Sequence, residues 1–246
     1  MNTSHFTAVV RGALAQSGFA PPARDESRAI VFACEPLSAQ APFVGELLDA
    51  GEAGRAARFR FAHDRTRYIL AHAVWRVVLS TCLDVVPARV PLVATPAGQP
   101  TLPGTEFSTS LSHAGDWVAV AVCGGAITGI DIEQQPSRVR LTDMADAVCT
   151  PAETARVMAL ASAARELALL ELWTRKEALL KAFGVGLGVD PAGFDASTAE
   201  PVAPPAAAAG LPCCQVRVLD LPAGLVGALA IPVGVGRISQ HRLEWG

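Results

Sequence analysis

The chain has 246 residues, 51% of them hydrophobic and 17% charged, enough apolar mass for one large domain or two modest ones and too much for a disordered segment. A formal charge of −3 excludes bulk nucleic-acid binding, since no excess of cations is available to displace counterions from a phosphate backbone. No apolar run approaches the ~18 residues of a membrane helix and no charged leader precedes an apolar segment, so a cytoplasmic protein without a membrane partner is expected.

The first fifty residues carry little signal. Between Arg55 and Arg76 six arginines (Arg55, Arg58, Arg60, Arg65, Arg67, Arg76) face the single acid Asp64. Guanidinium forks bind phosphate oxygens bidentately, so this patch suits a phosphate-rich ligand, although a solvated helix face would read the same way. Tyr68 to Leu79 is apolar nearly all round, as a buried helix would be, and ends before Val86-Pro87. The Pro- and Gly-rich stretch from Pro91 to Pro103 marks a boundary between two lobes.

Trp117 to Val122, a Cys123-Gly124-Gly125 turn and Ala126 to Ile132 read as a hairpin ending in a strand. Alternation along that strand turns Asp131 and Glu133 to one face, roughly 6.6 Å apart at the backbone, and Ile130 and Ile132 into a core. Two carboxylates so close repel unless a cation lies between them. Thr150-x-x-Glu153 with Pro151 at the first helical position is a capping box. The helix that follows, Ala159 to Lys181 and ended by Gly184, sets Trp173, Glu177 and Lys181 on one face. Glu177 can complete an oxygen-ligand site for a hard cation, and Lys181, one turn on, can meet an anion.

Gly184 to Gly188 imitates a nucleotide loop but follows a helix, so a dinucleotide fold fails on context. Pro201 to Pro212 is a loop, and Gln215–Leu219 and Gly227–Ile231 read as paired strands. Six cysteines without a Cys-x-x-Cys pair suggest reduced thiols in a reducing compartment, with Cys82 and Cys123 as small core residues.

Gly129-Ile130-Asp131-Ile132-Glu133 and Trp173-Thr174-Arg175-Lys176-Glu177-Ala178-Leu179-Leu180-Lys181 together resemble the two signatures of the 4'-phosphopantetheinyl transferases of the surfactin-synthetase-activating type, Gly-x-Asp-x-Glu and Trp-x-x-Lys-Glu-x-x-x-Lys. Looser matches are Ser110 to Trp117, with Ser110 for Asn and Ala114 for Ser, and Ala97-Gly98-Gln99-Pro100, with Gln99 for Lys. Arg58 to Arg67 and Cys149 to Glu153 also fit. The resemblance spans about Arg55 to Leu187.

It implies an α+β fold of two similar lobes related by a pseudo-twofold axis, residues 1–104 and 105–246, with the active site at their interface. It further implies transfer of the 4'-phosphopantetheine arm from coenzyme A to a serine of an apo acyl- or peptidyl-carrier protein, releasing 3',5'-ADP. Mg²⁺ would be held by Asp131, Glu133 and Glu177. Glu177, Lys181 and Asp131 would be catalytic, and Arg67, Arg58, Ser112, His113, Lys176 and Lys181 would contact the coenzyme. A monomer suffices to build such a cleft. Another Mg²⁺-dependent nucleotide or phosphoryl hydrolase, or a non-catalytic relative that binds coenzyme A or the carrier, stays open as an alternative.

Overall fold

The computed structural model describes residues 2–137 and 140–245. In chain order the elements are α1 (Thr3–Gln16), β1 (Glu26–Ala33), α2 (Ala50–Ala57), α3 (Ala62–Leu83), β2 (Val93–Ala94), β3 (Pro100–Thr101), β4 (Phe107–Ala114), β5 (Trp117–Gly124), β6 (Gly129–Gln134), α4 (Ala145–Val148), α5 (Pro151–Met158), α6 (Ser162–Phe183), β7 (Cys214–Val218), β8 (Leu225–Pro232) and β9 (Arg237–Arg242). This mixture of helix and sheet is the expected α+β class.

Two sheets stack face to face, one ordered β4-β5-β1-β9 and the other β6-β8-β7, with the short β2-β3 pair apart from both. Strand periodicity divides their residues between three cores. On the outer face of the first sheet, Ile30, Phe32, Val118, Val120 and Val122 pack under α1 and α3. Their neighbours Ala29, Val31, Ala119, Ala121 and Cys123 turn inward and meet Ile130, Ile132, Leu229 and Ile231 of the second sheet. Beyond that sheet, Ala228, Ala230 and Cys214 pack under α6 through Leu172, Ala178, Leu179 and Ala182. The layers therefore run helix, sheet, sheet, helix, each buried on the apolar face that its period supplies.

The expected hairpin from Trp117 to Ile132 does not form. β5 pairs with β1 on one edge and β4 on the other, so no edge remains for β6, which pairs with β8 instead. Gly124 lets the chain leave the sheet, since a Cβ there would lie 2.3 Å from the Ala23 carbonyl oxygen, and Gly125 takes φ +72°. The hairpin that does exist joins β4 to β5 through Gly115 and Asp116, with Gly115 at φ +58° as a two-residue turn of this kind demands. The boundary read at residue 104 falls before β4, and the first sheet runs on to Gly124 and gains β9 from the C-terminal segment. β7 and β8 pair antiparallel as their sequences suggest.

At Gly129 the second sheet meets α6 backbone to backbone. A Cβ added there would lie 2.0 Å from the Ala178 carbonyl oxygen and 2.4 Å from the Ala182 nitrogen. Gly129→Ala should force the helix outward and lower stability by about 1–3 kcal/mol, read as a lower denaturant midpoint. A variant with an unchanged midpoint would show that this contact is looser than described.

Candidate active site

β4 and β6 are the edges of the two sheets and lie beside each other. Serine hydroxyls of β4 stand in for a backbone ladder: Ser110 Oγ accepts the Ile130 N–H at 3.1 Å and Ser112 Oγ the Ile132 N–H at 3.3 Å. Ser112 Oγ then donates to Asp131 Oδ1 at 2.8 Å. From the other side Lys181 Nζ of α6 donates to the same Oδ1 at 2.7 Å and to the Ile130 carbonyl at 3.2 Å. Asp131 is 4% exposed, and its second oxygen, Oδ2, is buried with no hydrogen-bond partner among the described residues.

Glu133 and Glu177 complete the acidic set. Burial, then the neighbouring Asp131 carboxylate, raises the pKa of each above the ordinary 4.5. Lys181 pulls both the other way, and Trp173 opposes the rise at Glu133 through a hydrogen bond. Trp173 thus holds a carboxylate as well as sharing a face with Glu177 and Lys181. Three carboxylates against one ammonium leave a surplus of negative charge that a divalent cation would neutralise. Among the described residues no three His, Cys, Asp or Glu side chains are grouped closely enough to hold a metal ion as they stand. The orphaned Asp131 Oδ2 and the two raised carboxylates nevertheless fit a hard, oxygen-seeking cation.

Two cavities flank this set. One, of about 470 Å³, is lined by Asp64, Arg67, His113, Glu133 and Trp173 among others. The other, of about 750 Å³, is lined by Arg55, Arg58, His72, Gln99, Glu177 and Lys181 among others. His113, Phe59 and Tyr68 line both. His113 is open to solvent, yet partial desolvation and then the Lys181 charge depress its pKa, so the ring is neutral at neutral pH. Arg67 pairs with Asp64 and approaches Asp116 at 3.7 Å.

Of the residues expected at the site, Asp131, Glu133, Glu177, Lys181, His113, Arg58 and Arg67 line the cleft or its acidic centre. Ser112 is buried and engaged with Asp131 and Ile132. Lys176 is a correction: it is fully buried, 2.7 Å from Glu153 and bonded to the Pro191 and Phe194 carbonyls, away from either cavity. Glu153 makes the expected capping box with Thr150 as well. Arg76 also leaves the expected cationic patch, being buried against Asp49 and Glu52 at 2.7 Å from each. Gln99 donates from Nε2 to the Lys181 carbonyl at 3.4 Å, at the C-terminal end of α6. Sequence reasoning missed Tyr68 and His72, which flank the cleft as a ring pair 4.1 Å apart with His72 2.9 Å from Glu52. Their signal was the i,i+4 spacing that continues from Asp64 along α3. All six cysteines are unpaired.

Residues 33–124 match the family model for the 4'-phosphopantetheinyl transferase N-terminal region, and residues 127–217 match that of the 4'-phosphopantetheinyl transferase superfamily. The chain belongs to the 4'-phosphopantetheinyl transferase superfamily. The seam between the two matches falls where the chain passes from β5 to β6. Among relatives of this superfamily member, a phosphopantetheinyl transferase of Thraustochytrium sp. is 34% identical over 161 residues, covering 57% of this chain and 55% of the relative. The 4'-phosphopantetheinyl transferase HetI of Nostoc sp. is 31% identical over 145 residues, covering 57% and 61%. The 4'-phosphopantetheinyl transferase psf-1 of Bacillus pumilus is 29% identical over 148 residues, covering 59% and 61%. The chain thus spans between 55% and 61% of the length of these curated relatives. Among the described residues no helix is long and apolar enough to cross a membrane.

Two measurements check this description. Because the folded state raises the Glu177 pKa, it is penalised as pH climbs from 4.5 through the raised value, and below 4.5 both states are protonated and no penalty exists. Glu177→Gln in metal-free protein should therefore raise the melting temperature at neutral pH, and the gain should vanish in acid; equal gains at both pH values would contradict it. Lys176→Ala strands Glu153 as a buried charge and should cost about 3–5 kcal/mol. The loss should appear as a lower denaturant midpoint, and an unchanged midpoint would show that the pair is not buried as described.

Proposed function

We propose that this protein transfers the 4'-phosphopantetheine arm of coenzyme A to a serine of an apo acyl- or peptidyl-carrier protein, with Mg²⁺ at the carboxylates, releasing 3',5'-ADP. The observation that carries the reading is the convergence of Asp131 and Lys181 at 2.7 Å beside Glu133 and Glu177, between two cavities that bear Arg58, Arg67 and His113. The matched relatives are phosphopantetheinyl transferases by name. A helix laid on a sheet in each half supports two lobes related by an approximate twofold axis; the reading further takes the protein as a cytoplasmic monomer.

Asp131, Glu133 and Glu177 would hold the magnesium ion, which when bound neutralises charge on the pyrophosphate oxygens. The serine Oγ forms a bond to the phosphorus that carries the pantetheine arm, while that phosphorus loses its bond to the bridging oxygen, which departs with the electron pair on 3',5'-ADP. Glu177 accepts the serine proton. Burial and the Asp131 charge raise its pKa in the metal-free protein, the direction that strengthens a carboxylate as a base. Lys181 supplies a fixed positive charge toward the leaving oxygens, at no cost of reorganisation because Asp131 and the Ile130 carbonyl already hold it. Arg58, Arg67 and the neutral His113 orient the coenzyme phosphates, the arginines as cations and the imidazole as a hydrogen-bond donor.

The protein mixed with Mg²⁺, coenzyme A and an apo carrier should add one phosphopantetheine arm to the carrier, read by intact-mass spectrometry, with equal release of 3',5'-ADP. Asp131→Asn and Glu177→Gln should lower the rate by about 100-fold or more without unfolding the protein. Carriers left unmodified across fatty-acid, polyketide and peptide systems would sink the proposal, and 3',5'-ADP released without carrier gain would point to a hydrolase.

A further inference from the structure

The two oxygens of Asp131 have unlike surroundings. Oδ1 accepts two hydrogen bonds, from Ser112 Oγ at 2.8 Å and Lys181 Nζ at 2.7 Å. Oδ2 is buried and accepts none among the described residues. A buried carboxylate oxygen with no donor is costly, and native structures keep few of them. Ser112 cannot turn away to relieve it. Its Oγ is engaged by the Ile132 N–H at 3.3 Å, which leaves its own proton directed to Asp131, and the residue is 7% exposed. A serine held in this way has no hydroxyl proton to offer a coenzyme phosphate.

We propose that Ser112 is the positioning residue for Asp131: by holding Oδ1 it aims Oδ2 at the metal ion, so it governs metal affinity instead of touching the coenzyme. The inference rests on the metal site proposed above. Donors to a metal-ligating side chain fix its orientation, and removing one typically weakens metal binding by about 10–100-fold. Lys181 holds the same oxygen, but its charge also repels a cation, so its removal would mix two opposed effects. Ser112 acts through orientation alone.

Ser110 supplies an internal control. It lies two residues earlier on β4 and makes the same kind of bond to β6, accepting the Ile130 N–H at 3.1 Å. Among the described hydrogen bonds it reaches no carboxylate. A serine that matters only for joining the sheets should behave like Ser110, whereas a positioning residue should not.

The experiment is Mn²⁺ titration of the protein alone, followed by the electron paramagnetic resonance signal of free Mn²⁺, with melting curves recorded for every variant. Wild type should bind one Mn²⁺. Ser112→Ala should bind it at least about 10-fold more weakly, and Ser112→Cys, similar in size but a weak donor, should match the alanine variant. Ser112→Thr, which keeps the hydroxyl, should restore binding. Ser110→Ala should lose thermal stability and keep the wild-type Mn²⁺ affinity. At saturating Mn²⁺ the Ser112→Ala KM for coenzyme A should equal that of wild type. Unchanged Mn²⁺ affinity in Ser112→Ala, equal weakening in Ser110→Ala, or no Mn²⁺ uptake by wild type would each overturn the proposal. The titration contains neither coenzyme nor carrier, so its failure is distinct from a failure of arm transfer.

Discussion

Helix α6 crosses strand β6 at Gly129 so closely that a methyl group there would sit 2.0 Å from the Ala178 carbonyl oxygen. The contact falls two residues before Asp131 on the strand and one residue after Glu177 on the helix. Closing that gap is what carries Lys181 to 2.7 Å from Asp131 and sets Glu177 within electrostatic reach of the same carboxylate. A side chain at 129 would separate the acidic strand from the helix that completes it. The glycine of the first motif and the alanine at 178 of the second are therefore the two halves of one packing contact.

The electrostatics follow from that approach. Bringing Asp131, Glu133 and Glu177 together in a partly buried cleft costs energy, and the raised pKa values of the two glutamates are its signature. Lys181 offsets part of it. The remainder leaves a site that attracts a cation, flanked by cavities whose arginines attract anions. A ligand that brings a metal ion and phosphates together satisfies both.

The two lysines of one motif show why sequence alone mislocated a function. Lys176 and Lys181 are five residues apart, which on a helix of 3.6 residues per turn separates their directions by about 140°. Lys181 faces β6 and the cleft. Lys176 faces α5 and the segment around Phe194, where it neutralises Glu153, itself the end of a capping box. Similarly, Arg76 belongs to the arginine cluster by sequence but turns toward Asp49 and Glu52 beneath the cleft floor. The first helix was overlooked because its stripe of Phe6, Val10, Ala13 and Leu14 is short and lies among small and polar residues. Strand β9 was overlooked because its partner β1 lies more than 200 residues away in the chain.

The sequence by itself determined the elements whose period is local: the apolar α3, the α6 helix closed at Gly184, the β7-β8 pair, the Thr150–Glu153 cap and the common face of Asp131 and Glu133. Its two acidic motifs also resemble the phosphopantetheinyl transferase signatures, and that resemblance, not the spacing alone, suggested a chemistry. Only the tertiary structure decided which strands are neighbours. β6 could not join β5, whose two edges were taken, and so it became the edge that meets β4. That meeting turned Ser112 from a plausible phosphate contact into the partner of Asp131. Side-chain period is a property of neighbouring residues, whereas edge occupancy is a property of the assembled sheet, and no local pattern encodes it.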